Sequence, residues 1–491
     1  MESASQVRKV IVVGGGIGGL AAAWELTEEA KRQGLELEVR LLEASGRVGG
    51  SIRTDRVDDC LIEAGPDCIV SEKPWGVQLI EDVGLGDQLA PTNDADRRTY
   101  VLWKGKLHPL PDGLILLVPT KVTPFVTASL FSWPGKFRMA LDLVLPKRKT
   151  TGDETLGDFI RRRLGREALD KLGEPLVAGI HSGDPETMSV ASTFPRFLQM
   201  EQEERSLILA MLRRMRAVRR ARERAAAEIA AGSGDGSGAP RRQIPRTMFI
   251  TLRRGLEELV AELARRLGDE RIELGQRVTG MRRAANGRWE VTKAEGEAEQ
   301  ADAVILATPA HVTAEILACL APGVAAELRE MPYVSSATVT LAYRREDVPI
   351  SPGGFGTVIP KGEARRIKAF TWVTTKFFER APADTVLMRC FVRVPPGESV
   401  PSQDELRRIA ARELTDILGL PEPLWARAYR WERAMPQYVV GHGARVERVE
   451  AALAELPGLV LAGGAYHGSG IPDTVRVGRE RARELVTRLR A

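Results

Sequence analysis

The sequence predicts an α/β fold, with a Rossmann-like parallel-sheet domain interrupted by an α+β domain and a helical subdomain. Three observations carry that reading. The run VIVV at 10–13 is wholly apolar, as a central parallel strand covered on both faces must be. It leads into a G-x-G-x-x-G turn at Gly14, Gly16 and Gly19, and then into apolar residues at helical spacing, Leu20, Ala23, Trp24 and Ala30. Apolar strands followed by small-residue turns return far along the chain, as AVILATPA (303–310) and LVLAGGAYHGSGIPD (459–473).

Bulk properties narrow the function. A chain of 491 residues with 43% hydrophobic content buries more than one core. Its formal charge of +5 is a slight surplus for this length, and no basic stretch is interleaved with aromatics, so no nucleic-acid partner is expected. The four cysteines form no C-x-x-C pair, and the histidines show no ligand spacing, so neither a disulfide framework nor a metal is expected. The polar start MESASQVRKV has no signal-peptide core, which points to a reducing cytoplasm. The most lipid-like stretch, 114–131, is broken by Pro119, Lys121 and Pro124 before it reaches the ~20 apolar residues of a spanning helix. It reads as pocket lining, with peripheral contact to a membrane as the alternative.

The opening motif has a physical reason at each position. Gly14 permits a tight turn, Gly16 leaves room for a pyrophosphate, and Gly19 lets helix and strand pack closely. The helix start offers unpaired N–H groups and partial positive charge to that pyrophosphate. The second strand, LEVRLLEAS (37–45), places Glu43 24 positions after Gly19, where a carboxylate accepts hydrogen bonds from ribose hydroxyls. A second glycine turn follows at once, ASGRVGGSIRT (44–54). It suits a cofactor extending beyond the pyrophosphate: Arg47 can pair with a phosphate, and Gly49 and Gly50 let backbone approach a ribityl chain.

Taken together these motifs resemble the FAD-binding half of the flavin amine oxidase superfamily, which includes monoamine oxidases, phytoene desaturases and porphyrinogen oxidases. The resemblance implies FAD contacts at Gly14, Gly15, Gly16, Ile17, Gly18 and Gly19, and at Glu43, Ala44, Arg47, Gly49, Gly50 and Ser51. Further contacts are implied at Gly65, Pro66, Asp67 and Cys68, at Val278 beside the adenine, and at Trp431 against the isoalloxazine. Gly464, Gly470, Ile471 and Pro472 would bring a helix N-terminus to the flavin pyrimidine edge. The implied organisation is an FAD-binding domain in three parts (1–90, 244–320, 436–491), substrate and helical parts at 91–225 and 321–435, and a flexible linker over 226–243. The arginine-dense stretch before that linker reads as a solvated helix.

Longer stretches, among them EAGPDCIVSEKP, HSGDPETMSVASTFPRFLQMEQEERSLILAML and RWERAMPQYVVGH, are similar to the bacterial porphyrinogen oxidases, in particular those of the coproporphyrinogen III oxidase type. Protoporphyrinogen IX oxidases share most of them. The resemblance implies a six-electron oxidation in three rounds: a meso methylene delivers hydride to flavin N5, a pyrrole N–H loses its proton, and O₂ reoxidises the flavin with release of H₂O₂. Leu114 to Leu117, Phe125, Phe131 and Phe197 are expected as apolar walls or ordinary core. Lys73 is the expected anchor for substrate carboxylates, and Asp67, an acid, would repel them. His467 is the weak nominee for a proton acceptor. Product hand-over to a ferrochelatase, a monomeric or homodimeric state, and a non-catalytic porphyrin carrier as the rival class complete the expectations.

Overall fold

The computed structural model describes residues 7–115, 117–150, 152–230, 247–348 and 353–490. Arg8–Val13 is the middle strand of a five-stranded parallel sheet, flanked by Leu37–Glu43 and then Ile272–Leu274 on one side, and by Ala303–Leu306 and then Leu459–Leu461 on the other. The all-apolar run at 10–13 is explained by its surroundings. Val10 and Val12 enter a core with Leu20, Leu26, Val475 and Leu485 from two helices. Ile11 and Val13 point to the opposite face, into a core with Trp289, Leu328 and Val446.

The two helices on the first face are the opening helix, Ile17–Gln33, and the C-terminal helix, Ile471–Arg490. They touch backbone to backbone: a Cβ on Gly478 would lie 2.4 Å from the Gly18 carbonyl oxygen. Beside this contact Glu25, fully buried, accepts from Arg479 Nε at 2.5 Å and from Arg483 Nε at 2.7 Å. Burial alone would push the Glu25 carboxyl up, but the two guanidiniums hold it below its ordinary value.

A seven-stranded mixed sheet forms the second layer system. Its order is Trp425–Pro436, Tyr333–Arg344, Thr385–Val392, Ile367–Trp372, Gly356–Val358, Thr99–Trp103 and Lys106–Pro109. The helix Gln403–Leu418 packs on it, capped where the Ser402 hydroxyl accepts from the Glu405 N–H at 3.2 Å. The first two of these segments in the chain differ from the sequence reading of roughly 91–225, which is helical with Pro-marked turns. TYVLW and KLHP are a hairpin, turned by Lys104 and Gly105, both at positive φ. That is the two-residue hairpin geometry that matches strand twist.

Helices between Val122 and Ala230 form a third body, organised around Phe125, Phe131, Phe159 and Phe197. Leu117, Phe125, Phe131 and Phe197 are therefore core residues, not walls of an open slot. Arg163, buried, closes this body by binding Asp142 and the Arg205 carbonyl. Outside it, Val122, Trp133, Phe137 and Val144 are 60–78% exposed, an apolar strip on the surface. Among the described residues no helix is long and apolar enough to cross a membrane. The arginine-dense helix runs from Leu207 to Ala230, so the first five positions of the expected linker continue it. Alanine-rich AAEIA favours this intrinsically. Positions 231–243 of the linker lie outside the described residues.

Replacing Glu25 by alanine strands buried guanidinium charge between the first and last helices. The expected loss of unfolding free energy is about 3–5 kcal/mol, read from urea denaturation of the loaded protein. A change below about 1 kcal/mol would show that the helix pair is held by packing alone.

Candidate functional site

The carboxyl ends of the parallel strands gather four chain segments. Gly14 leaves the first strand with φ +105° and donates to the Leu42 carbonyl at 2.8 Å. A Cβ on Gly19 would lie 1.9 Å from the Gly14 carbonyl oxygen, so this glycine is fixed by helix–strand packing. Gly16 differs. Its φ of −66° suits any residue, and a Cβ there would meet no described atom within 4 Å. Nothing in the polypeptide calls for glycine at this position; open space at a helix start does. The opening helix has no side-chain cap and no acidic residue in its first turn, so the N–H groups around Ile17 and Gly18 remain available to an anion.

Glu43 ends the second strand beside this cradle. Its Oε2 accepts from the Gly15 N–H at 2.6 Å, and its Oε1 from the Ser45 N–H and hydroxyl at 2.8 and 2.7 Å. The carboxylate is thus oriented by backbone and keeps acceptor capacity beside exposed Ala44 and Ser45. Gly49, at φ +104°, donates to the Gly15 carbonyl at 2.7 Å, and Gly50 comes within 3.3 Å of the Gly16 Cα when given a Cβ. Arg47, expected on a phosphate, spends its guanidinium on its own loop, donating to the carbonyls of Val48 at 3.0 Å, Ile52 at 3.1 Å and Gly50. It shapes the glycine turn next to exposed Ser51.

Val278 is buried against the same end of the sheet, where the Gln276 N–H donates to the Glu43 carbonyl at 2.8 Å. The loop holding Gly464 and Gly470 is clamped by Tyr438, which donates to the Gly464 carbonyl at 2.8 Å and accepts from the Gly468 N–H at 2.9 Å. The helix then starts at Ile471 and Pro472, with Asp473 in its first turn paired to Lys73. His467 is exposed, held by Glu450 at 2.9 Å. Trp431 donates to the Ala64 carbonyl at 3.0 Å, tying the edge strand to the turn that carries Gly65 and Pro66.

Asp67 needs a correction. The sequence reading has its acid repel substrate carboxylates. Its carboxylate lies 2.9 Å from Lys376 Nζ and 3.8 Å from Arg389 Nη1, and these cations hold it well below the carboxylate range against the opposing effect of burial. Two cations face one acid, so an approaching carboxylate meets net positive charge. Burial, helped by Asp67, pushes the Cys68 thiol up to about 12 and keeps it protonated. Arg389 also donates to the Gly65 carbonyl. Sequence reasoning missed Lys376, Arg389, Tyr438 and Glu63; the one available signal was an arginine inside the otherwise apolar strand TVLMRCFV. His181, set edge-on to Phe194, is pushed down to about 4 by burial and by the Lys73 charge, so it is neutral at physiological pH. Among the described residues no cluster of ligating side chains could hold a metal.

A glycine cradle open at a helix N-terminus, a backbone-held acid at the end of the second strand and a second glycine turn define a dinucleotide-binding protein of the Rossmann type. Comparison with known proteins narrows this. The model of the flavin containing amine oxidoreductases matches residues 17–486. The chain is 36% identical over 486 residues to coproporphyrinogen III oxidase of Bacillus subtilis, covering 98% of both chains. It is 32% identical over 504 residues to protoporphyrinogen oxidase of Bos taurus, again covering 98% of both. A crystal structure from Exiguobacterium sp. 255-15 superposes with a TM-score of 0.81 at 32% identity, over 98% of this chain and 99% of that one. The chain belongs to the flavin-containing amine oxidoreductase family; it is an FAD-dependent oxidoreductase, and the open space at Gly16 fits that cofactor.

Gly16→Val tests the cradle directly. The fold has room for the side chain, so the melting temperature of the cofactor-free protein should stay within a few degrees of wild type, while flavin absorbance per protein falls to background. A variant that retains flavin would refute the placement.

Glu63 supplies a pH test. It is buried, accepts from the Leu256 N–H and the Thr54 hydroxyl at 2.8 Å each, and is pushed up to about 7, chiefly by burial. A raised carboxyl favours the folded state when protonated. Its contribution is full below the unfolded value near 4.5 and fades as pH rises through 7. Glu63→Gln should remove a loss of about 2 kcal/mol between pH 5 and pH 7.5. Parallel stability–pH curves for the two proteins would show that Glu63 is ionised throughout.

Proposed function

We propose that this chain oxidises coproporphyrinogen III to coproporphyrin III. The observation that carries the reading is the full-length likeness to the Bacillus subtilis enzyme, on a sheet whose carboxyl edge keeps the open cradle at Gly16. Three rounds each remove two electrons and two protons from the macrocycle, and each converts one O₂ to one H₂O₂. When bound, FAD accepts a hydride from the substrate and passes the electron pair to O₂.

The residues of the chain do the rest. Gly14 to Gly19 hold the pyrophosphate, and Glu43 receives ribose hydroxyls. Gly49 and Gly50 admit the ribityl chain, and Val278 borders the adenine. The turn Gly65 to Cys68, fixed by Arg389 and Trp431, would hold the ring system. Lys73, half-exposed beside the neutral His181, would exchange its partner Asp473 for a substrate carboxylate, and the Lys376–Arg389 pair would add positive charge. Orientation and exclusion of water by buried surroundings then suffice, because adjoining pyrroles stabilise the developing cation.

In the same reading the FAD-binding segments are 1–90, 244–320 and 436–491, and the substrate segments 91–225 and 321–435. The exposed Trp133 and Phe137 favour a peripheral contact with a membrane, from which product passes to a ferrochelatase. A second reading, protoporphyrinogen IX as substrate, is favoured by the likeness to the bovine enzyme.

The deciding measurement is kcat/KM of the FAD-loaded protein for both porphyrinogens, followed by porphyrin fluorescence and H₂O₂ release. The four-carboxylate substrate is expected to be preferred by ~10-fold or more. A reversed preference would replace the first reading by the second. Porphyrin binding without O₂ consumption would replace both by a carrier.

A further inference from the structure

Away from the cradle, a cleft of about 370 Å³ opens between the strand Thr54–Val57, the edge strand Trp425–Pro436 and the first turns of the helix Gln403–Leu418. Four arginines line it: Arg53, Arg56, Arg407 and Arg427. The lining holds one carboxylate, Asp55, and it is already engaged. It accepts from Arg53 Nε and Nη2 at 3.0 and 3.1 Å and from the Tyr429 hydroxyl at 2.7 Å. Asp404 on the same helix pairs with Arg407, and Glu258 lies within electrostatic reach of Arg56.

Neither of the two remaining cations, Arg56 and Arg427, is ion-paired among the described residues. Arg56 has one hydrogen bond, at 3.4 Å to the Arg254 carbonyl, and Arg427 has no hydrogen bond or ion pair among the described residues. An ordinary surface arginine extends into water and repels its like-charged neighbours. Here four border one concavity whose floor is the buried pair Ala428 and Tyr429, and only Arg53 and Arg407 are held by carboxylates. That arrangement stores unused fork-shaped donors matched to carboxylate or phosphate oxygens.

We propose that this cleft is a binding site for a small polyanion bearing two or more carboxylate or phosphate groups, distinct from the cofactor and substrate regions. Arg427 and Arg56 make the new ion pairs, and Arg407 shares its charge between Asp404 and the ligand. The site is coupled to the cofactor turn by a short path. The Arg53 carbonyl accepts from the Ala64 N–H at 2.9 Å, one residue before Gly65. Occupancy therefore acts on the turn that Arg389 and Trp431 also hold.

The test uses the FAD-loaded protein and two probes, citrate for carboxylates and pyrophosphate for phosphates, titrated by isothermal calorimetry at low and high NaCl. Saturable binding of at least one probe at a single site, weakened by salt, is expected, and the probe preferred assigns the chemistry. Arg427→Ala and Arg407→Ala should each weaken it ~10-fold or more while flavin content and melting temperature stay unchanged, since neither side chain is buried. Failure of both probes to saturate at millimolar concentration, as an acidic protein surface as the true partner would also produce, overturns the proposal. Undiminished binding to either variant does so as well.

Discussion

The contact between the first and last helices is the constraint on which the rest of the structure depends. Glu25 and Arg479 stand 454 positions apart, yet one carboxylate without solvent joins them, and Gly18 meets Gly478 backbone to backbone. A buried acid is costly unless paired, so the helix pair has one arrangement in which Glu25 is satisfied. That arrangement brings the glycine loop at 463–470 against the turn at 14–19. Without it, the strand Leu459–Leu461 would still add to the sheet edge, and the C-terminal helix would be oriented by its apolar face alone, through Val475, Ala482 and Leu485.

Once this crossing is set, the two helix N-termini at the sheet edge are prepared differently. The opening helix carries no acid in its first turn, so its partial positive charge is available to an anionic ligand. The C-terminal helix carries Asp473, which partly neutralises its own N-terminus and is in turn balanced by Lys73. A pyrophosphate thus has a preferred end. The difference lies in side-chain charge and in Pro472, which has no N–H to offer at the start of the C-terminal helix.

What was legible in the sequence follows from range. VIVV, the glycine spacing and Glu43 belong to one local βαβ unit, so their roles could be read from neighbours in the chain. The hairpin at 99–109 was equally local and was misread, because Lys-Gly is a less familiar two-residue turn than Asn-Gly. Asp67 was opaque for a different reason. Its character is set by Lys376 and Arg389, 309 and 322 positions away, and only the pairing of strands brings them together. Arg47 shows the limit of motif reasoning even at short range: the residue type suits a phosphate, but carbonyls exposed by its own glycine turn claim the donors first.

The charged cluster beneath the cofactor turn joins these threads. Lys376, Arg389 and Arg380 supply three positive charges, and Asp67 supplies one negative charge at every pH of interest. Glu63 is the variable member, neutral below about 7 and negative above it. The net field at the turn Gly65 to Cys68 is therefore strongest on the acidic side of neutrality and weakens by one charge above it. An acid at position 67 does not make the site repulsive; it is what allows two cations to be buried side by side. The excess of positive charge over Asp67 is set by residues from a distant sheet, and only strand pairing brings it to this turn.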